Sequence, residues 1–211
     1  MSATKAKLNK IIKATLDLLR DHELDNITFL MISKKCTLDA NDIKRYFLDI
    51  DSIIHAYFDD IDLRMIDSYS SNVTEETGKE IIFNIIMSRL DLLNENKISV
   101  KRLVKGKSNL KISFFIRSTR IQKWILQEAN IHSIGFERTI NQYGLMYLYA
   151  RIINVWLEDN DPMMSKTMAF LDKSLTNGEK YIQNMQMPIK VINIMTAIGR
   201  QFFANIKNKK A

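Results

Sequence analysis

A single cysteine, Cys36, in 211 residues excludes an internal disulfide framework and suits a reducing compartment. Two prolines, Pro162 and Pro188, and six glycines leave long stretches without a breaker. That scarcity disfavours a many-turned β fold and favours helices. The three histidines are scattered, and with the lone cysteine they offer no metal-ligand spacing, so neither a metal nor a cofactor is expected. No run approaches the ~18 apolar residues of a spanning helix. The basic, polar start "MSATKAKLNK" lacks the apolar stretch of a signal peptide, and a cytoplasmic protein is the expectation. No nucleophile elbow, phosphate loop or paired-carboxylate constellation occurs, which gives catalysis no foothold; the expectation is that the chain is not an enzyme.

What is present is enough apolar material for an ordinary core, 46% of the residues, and a net charge of +7 that is unevenly spread. The first fifty residues carry nine basic and seven acidic side chains, whereas the stretch from Asp51 to Asn96 is strongly acidic. Lys97 to Lys123 then holds nine basic residues and no acid, and Lys190 to Ala211 five basic residues and no acid. Most of the basicity therefore lies outside the opening segment.

Apolar spacing predicts an all-α fold of about ten helices. Leu8, Ile11, Ile12, Thr15, Leu16, Leu18 and Leu19 form the stripe of a first helix, which ends in "RDHELDN". Thr28 opens "TFLMISKKC", and Asp39 is the expected N-cap of a second short helix, "ANDIKRYF". Longer helices are expected over Asp51 to Ser70, from a cap at Thr74 to about Leu93, and over Asn109 to Glu128 and Phe136 to Leu157. A short one is expected over Ser99 to Val104, closing near Gly106. Pro162 is placed in the first turn of a helix reaching about Asn184, with Asp159 and Asp161 as its caps, and Pro188 opens the last helix.

The segment "IIKATLDLLRDHELDNITFLMISKKCTLDANDIKRYF" resembles, without gaps, the DNA-binding head of the TetR family of bacterial transcriptional regulators. Ile11, Ala14, Leu18 and Leu19 match its first helix. Thr28, Ile32, Ser33 and Cys36 match its second, and Leu38, Asp39, Ile43, Tyr46 and Phe47 match the remainder of the helix-turn-helix. Thr37 stands where the family has its turn glycine, and a positive backbone angle there would cost roughly 1 kcal/mol. Glu23 replaces another usual glycine, Lys44 a phosphate-touching tyrosine, and Ile50 a lysine that opens the fourth helix. The resemblance implies a three-helix head over residues 1–50 and a ligand-binding and dimerisation body over 51–188, and the apolar stripe after Pro188 predicts a basic amphipathic helix over 189–211. Double-stranded DNA is the implied partner of a homodimer. Base edges would be met by Ala40, Asn41, Asp42 and Arg45, and phosphates by Lys34, Lys35 and Lys44, with Thr28 and Tyr46 also among the DNA-binding residues. Taken as residues alone, the head is equally a small core with solvated charges, retained without reading DNA.

The segment "YARIINVWLEDNDPMMSKTMAFLDKSLTNGE" resembles the C-terminal part of the TetR-fold lipid-binding accessory proteins of ubiquinone biosynthesis and their bacterial TetR-like relatives. Tyr149, Trp156, Leu157, Asp159, Thr167, Ala169, Phe170, Leu171 and Asp172 carry it; Trp156, Phe170 and Leu171 read first as core anchors. It implies an alternative function, lipid or isoprenoid binding at a membrane surface. Phe114, Phe115, Trp124, Met146 and Tyr147 are the candidate lining of a pocket for a small apolar or lipid effector. The stripe Ile189, Ile192, Met195, Ile198, Phe202 and Ile206, flanked by Lys190, Arg200 and Lys207, either docks on the body or lies on an anionic membrane. The acid-free run Lys97 to Lys123 is either a solvated face or a surface for DNA backbone or lipid headgroups.

Overall fold

The computed structural model describes residues 3–70, 76–106, 121–131 and 136–183. Every regular element among them is helical, and the chain falls into two compact units, Met1–Glu76 with Asn84–Ile121 and Thr77–Phe83 with Gln122–Ala211. The expected helix over residues 189–211, Phe114 and Phe115, and the first part of the helix expected from Asn109 lie outside the described residues.

The first unit begins with α1 (Ala3–Leu18), a single 3-10 turn (Leu24–Asn26), α2 (Phe29–Cys36), α3 (Ala40–Tyr46) and α4 (Ile50–Ser70). α1 packs against α2 and α4, and α2 against α3. Ile11, Ala14 and Leu19 from α1 and the turn after it, Ile32 and Cys36 from α2, and Ile43 and Phe47 from α3 and its end are all buried; Leu38 is half-buried. A seven-residue helix does not hold in water by itself, because its nucleation cost exceeds what so few hydrogen bonds return. α3 exists because Ile43 is fully enclosed and Phe47 nearly so, each worth about 2–3 kcal/mol relative to exposure.

Between α2 and α3 the chain turns at Thr37 with φ 55° and ψ 38°, the left-handed region expected of the missing glycine. Leu38 N donates to Ser33 O at 3.3 Å, the six-to-one bond of a Schellman termination, while Ser33 Oγ donates to Leu38 O at 2.6 Å. Lys10 Nζ donates to Thr37 Oγ1 at 2.9 Å from α1. Asp39 Oδ1 then accepts from Asn41 N at 2.8 Å, capping α3 as the sequence suggests. At Glu23, by contrast, φ is −68° and ψ 149°, so the loop after α1 needs no glycine.

α5 (Gly78–Asn94) and α6 (Lys97–Lys105) follow. In the first unit Arg89, 3% exposed, holds Asp62 of α4 through Nε at 2.7 Å. Ser99 Oγ donates to Leu16 O at 2.6 Å, and Arg102 donates to Arg20 O at 2.9 Å and pairs with Glu23 at 3.4 Å. These bonds fasten α6 to the last turn of α1 and to the loop that follows it, where helix-end carbonyls need partners from outside the helix. Gly106 ends α6 where a Cβ would meet Arg102 O at 2.7 Å and Glu23 Oε2 at 2.9 Å.

In the second unit the opening of α5 corrects one expectation. The cap is Thr77, not Thr74: Thr77 Oγ1 accepts from Glu80 N at 3.4 Å, and Thr77 N donates to Glu80 Oε2 at 2.8 Å. The "TGKE" wording is a capping box, and the return bond holds the Glu80 carboxyl below its usual range. Gly78 is fixed by close approach, since a Cβ there would lie 2.8 Å from Ala129 O. Lys79 reaches Asp172 at 2.8 Å and Thr176 Oγ1 at 2.7 Å.

The unit continues with α7 (121–128), α8 (Phe136–Glu158) and α9 (Ser165–Gln183). α8 buries Tyr149, Ile152, Ile153 and Trp156 at helical spacing, and packs against α9, which buries Thr167, Leu171 and Leu175. α9 starts three residues later than Pro162 suggests. Met164 takes φ 53° and Asp161 O accepts from Met164 N, closing a turn that spans the proline before the helix begins. The two expected caps do act. Asp161 accepts from Met163 N at 3.0 Å and Ser165 N at 3.3 Å. Asp159, 1% exposed, accepts from Asp161 N at 3.2 Å, Thr167 N at 2.9 Å and Thr167 Oγ1 at 2.8 Å. Trp156 and Leu171 are the enclosed anchors expected of them, whereas Phe170 is half-buried with the Arg151 guanidinium 4.9 Å from its ring centroid. The tryptophan-to-aspartate wording of the second resemblance is thus largely the α8–α9 junction.

Three outcomes follow from these local structures. Thr37→Gly is expected to raise the unfolding free energy by about 0.5–1 kcal/mol, because relief of the left-handed strain exceeds the loss of one exposed hydrogen bond; urea denaturation measures it. Asp159→Ala is expected to cost about 3 kcal/mol, since it strands the buried Thr167 N–H and hydroxyl, and Thr167→Val about 1, since Asp159 loses one of its buried donors and keeps the backbone ones; equal, negligible losses would contradict the junction described. Hydrogen bonds from Ser165 and Met163 hold the Asp161 carboxyl below the usual range. Its contribution is therefore present above the ordinary aspartate value and lost as pH falls through the lowered one. Wild type and Asp161→Asn should differ in Tm at neutral pH and converge in acid.

Candidate nucleic-acid interface

With Ile43 and Phe47 fixed inward, the rest of α3 is placed by helical rotation of about 100° per residue. Asn41, Arg45 and Asp42 fall on the side away from the core, with Lys44 on one flank and Tyr46 on the other. Asn41, Lys44, Arg45 and Tyr46 are exposed, Asp42 and Ala40 half-exposed. Arg45 and Asp42 form an ion pair of 3.3 Å, with the arginine side chain 78% accessible. Lys44 Nζ lies 5.8 Å from the centroid of the Phe29 ring, so its ammonium rests on the start of α2. Lys34 and Lys35 are exposed in the last turn of α2, where cations suit the helix dipole. Thr28 caps α2 by accepting from Met31 N at 3.3 Å, so its hydroxyl is engaged with the backbone.

The structure therefore brings the candidate DNA-contacting residues onto one head. The candidate pocket residues are placed differently. Met146 is buried and Trp124 half-buried, whereas Tyr147 is 38% exposed with the Arg151 guanidinium 5.9 Å from its ring. Sequence reasoning missed Lys10, which steadies the turn from α1. Its only signal is one-turn spacing from Ala14, a buried residue of the same helix. Also missed are Leu30 at 59% exposure and Leu48 at 93%, apolar side chains on the head surface that periodicity does not flag.

No family model and no curated relative matches the chain. Solved structures do share its fold. A TetR transcriptional regulator from Nitrosomonas europaea aligns with a TM-score of 0.66 at 20% identity, covering 81% of this chain and 96% of that one. A TetR transcriptional regulator from Rhodococcus sp. RHA1 aligns with a TM-score of 0.50 at 15% identity, covering 83% and 98%. The fold is TetR-like. No helix among the described residues is long and apolar enough to cross a membrane.

Proposed function

We propose that this chain is a TetR-like, DNA-binding transcriptional regulator that works as a homodimer and responds to a small apolar or lipid effector in its body. The observation that carries the reading is the outward face of α3, where Asn41, Asp42 and Arg45 stand clear of the core between Lys44 and Tyr46. Those side-chain types match what the major groove offers, arginine for guanine, asparagine for adenine, an acid for the cytosine amine. Lys34, Lys35 and Lys44 are the phosphate contacts, with Thr28 and Tyr46 beside them. The proposed division is residues 1–50 as head and 51–188 as body.

Dimerisation is part of the proposal for an energetic reason. A head with nine basic and seven acidic residues gains little from phosphates alone, and two heads double the counterions released. Exposed apolar side chains on and next to α8 and α9, Tyr147, Met163 and Met168, suit a pairing surface.

Fluorescence anisotropy with the DNA upstream of the chain's own gene tests the reading; indifference to sequence at physiological salt defeats it. Lys44→Ala is expected to weaken binding about evenly across sequences and to lower the salt slope by about 1. Light scattering at the same salt should return the mass of a dimer.

A further inference from the structure

We propose that Asp42 and Arg45 act as one reading unit, in which Asp42 aims the Arg45 guanidinium at a guanine and thereby makes a G·C pair a requirement of each half-site. The inference rests on the DNA-binding reading above and goes beyond it by naming the base pair and the residue that enforces it.

Their spacing of three sets both side chains on the outward face of one short helix, and the pair is already formed at 3.3 Å without DNA. Asp42 is the only acid on that face, and it stands where phosphates would repel it. A carboxylate so placed weakens binding to every duplex unless it does something useful. Two things are available to it. It can accept from a cytosine amine, and it can hold the arginine's planar fork beside itself on the outward face, off the flanking phosphates. An exposed pair of this kind is worth little in water, ~0–1 kcal/mol, so the guanidinium can turn its second edge to O6 and N7 of guanine at small cost. Thymine and adenine present no such pair of acceptors there. Lys44 does not compete for the aspartate, because it leans the other way, over Phe29. Asp42 is a positioning residue: it lowers affinity for DNA in general and raises the ratio between the right and wrong sequence.

The test uses the full chain at about 0.15 M salt. A random duplex pool is selected for binding and sequenced, and anisotropy then compares the selected duplex with one in which its conserved G·C pair is replaced by A·T. The measurements are made for wild type, Asp42→Asn and Arg45→Lys. Both substitutions are on the surface, and circular dichroism confirms that the variants fold. The expected result is a tenfold or larger loss for wild type on replacement, from a mismatch cost of the usual size. Asp42→Asn should bind unselected DNA several-fold more tightly and lose most of the discrimination, and Arg45→Lys should lose discrimination without that gain. If Asp42→Asn tightens all sequences equally and keeps the ratio, the aspartate is only a repelling charge, and the inference falls while DNA binding stands. A selected site without a required G·C pair has the same consequence. If no sequence is enriched and no duplex is preferred, the DNA-binding reading falls, and this inference with it.

Discussion

At Thr37 the chain has to pass through left-handed backbone space, because α2 must end and α3 begin within three residues if Ile32 and Ile43 are both to be enclosed. Glycine would do this at no steric cost. Threonine does it at roughly 1 kcal/mol, and the surrounding bonds hold it there: Leu38 N to Ser33 O, Ser33 Oγ back to Leu38 O, and the Lys10 ammonium on the threonine hydroxyl. Two of those three involve side chains, so the residue types on either side supply what the glycine would have. The orientation of α3, and with it the whole outward face, follows from this one turn. Ile43 locks the helix in rotation, and the positions facing outward are whatever remains.

What remains is chemically specific but electrostatically modest. Four of the exposed or half-exposed side chains on α3 carry charge or an amide, yet Asp42 cancels Arg45 across 3.3 Å, leaving Lys44 as the unopposed cation of the helix among these groups. The strongly basic stretches of the sequence lie elsewhere, and the lysines of α6 have interactions of their own. A head built this way is poorly suited to holding DNA through phosphates alone. The surface offers a short set of directed hydrogen bonds more than a field of positive charge, which is the form the proposed reading requires.

The head was legible in the sequence because its signals are local. Apolar spacing placed the second, third and fourth helices to within a residue, Asp39 announced itself as a cap, and the resemblance to the family marked Thr37 as the left-handed residue. Legibility falls off where the determining contact is distant in sequence. Nothing near Thr37 points to Lys10, twenty-seven residues away, and nothing near Arg102 points to the carbonyl of Arg20. Three local signals were also misjudged. Thr74 and Thr77 are equally good caps in isolation; Glu80 three residues on decides for Thr77. Pro162 favours a first turn, but Asp161 draws the chain into a separate turn and Met164 adopts a left-handed angle before the helix starts. Phe170 read as a core anchor because an aromatic at helical spacing is usually enclosed; here a cation from α8 covers one face of it instead.

The bonds from α6 to the end of α1 differ in what they would cost to break. Ser99 is fully buried and its hydroxyl is committed to Leu16 O, while Arg102 spans both Arg20 O and Glu23. Separating α6 from α1 would strand the buried Leu16 carbonyl and Ser99 hydroxyl, at ~1–3 kcal/mol for each buried group left without a partner, whereas the exposed Arg20 carbonyl and Glu23 carboxylate would return to water. Arg89 on Asp62 ties α5 to α4 in the same unit by a bond that is equally shielded on the arginine side. With those fastenings in place, α6 and the three-helix head belong to one compact unit.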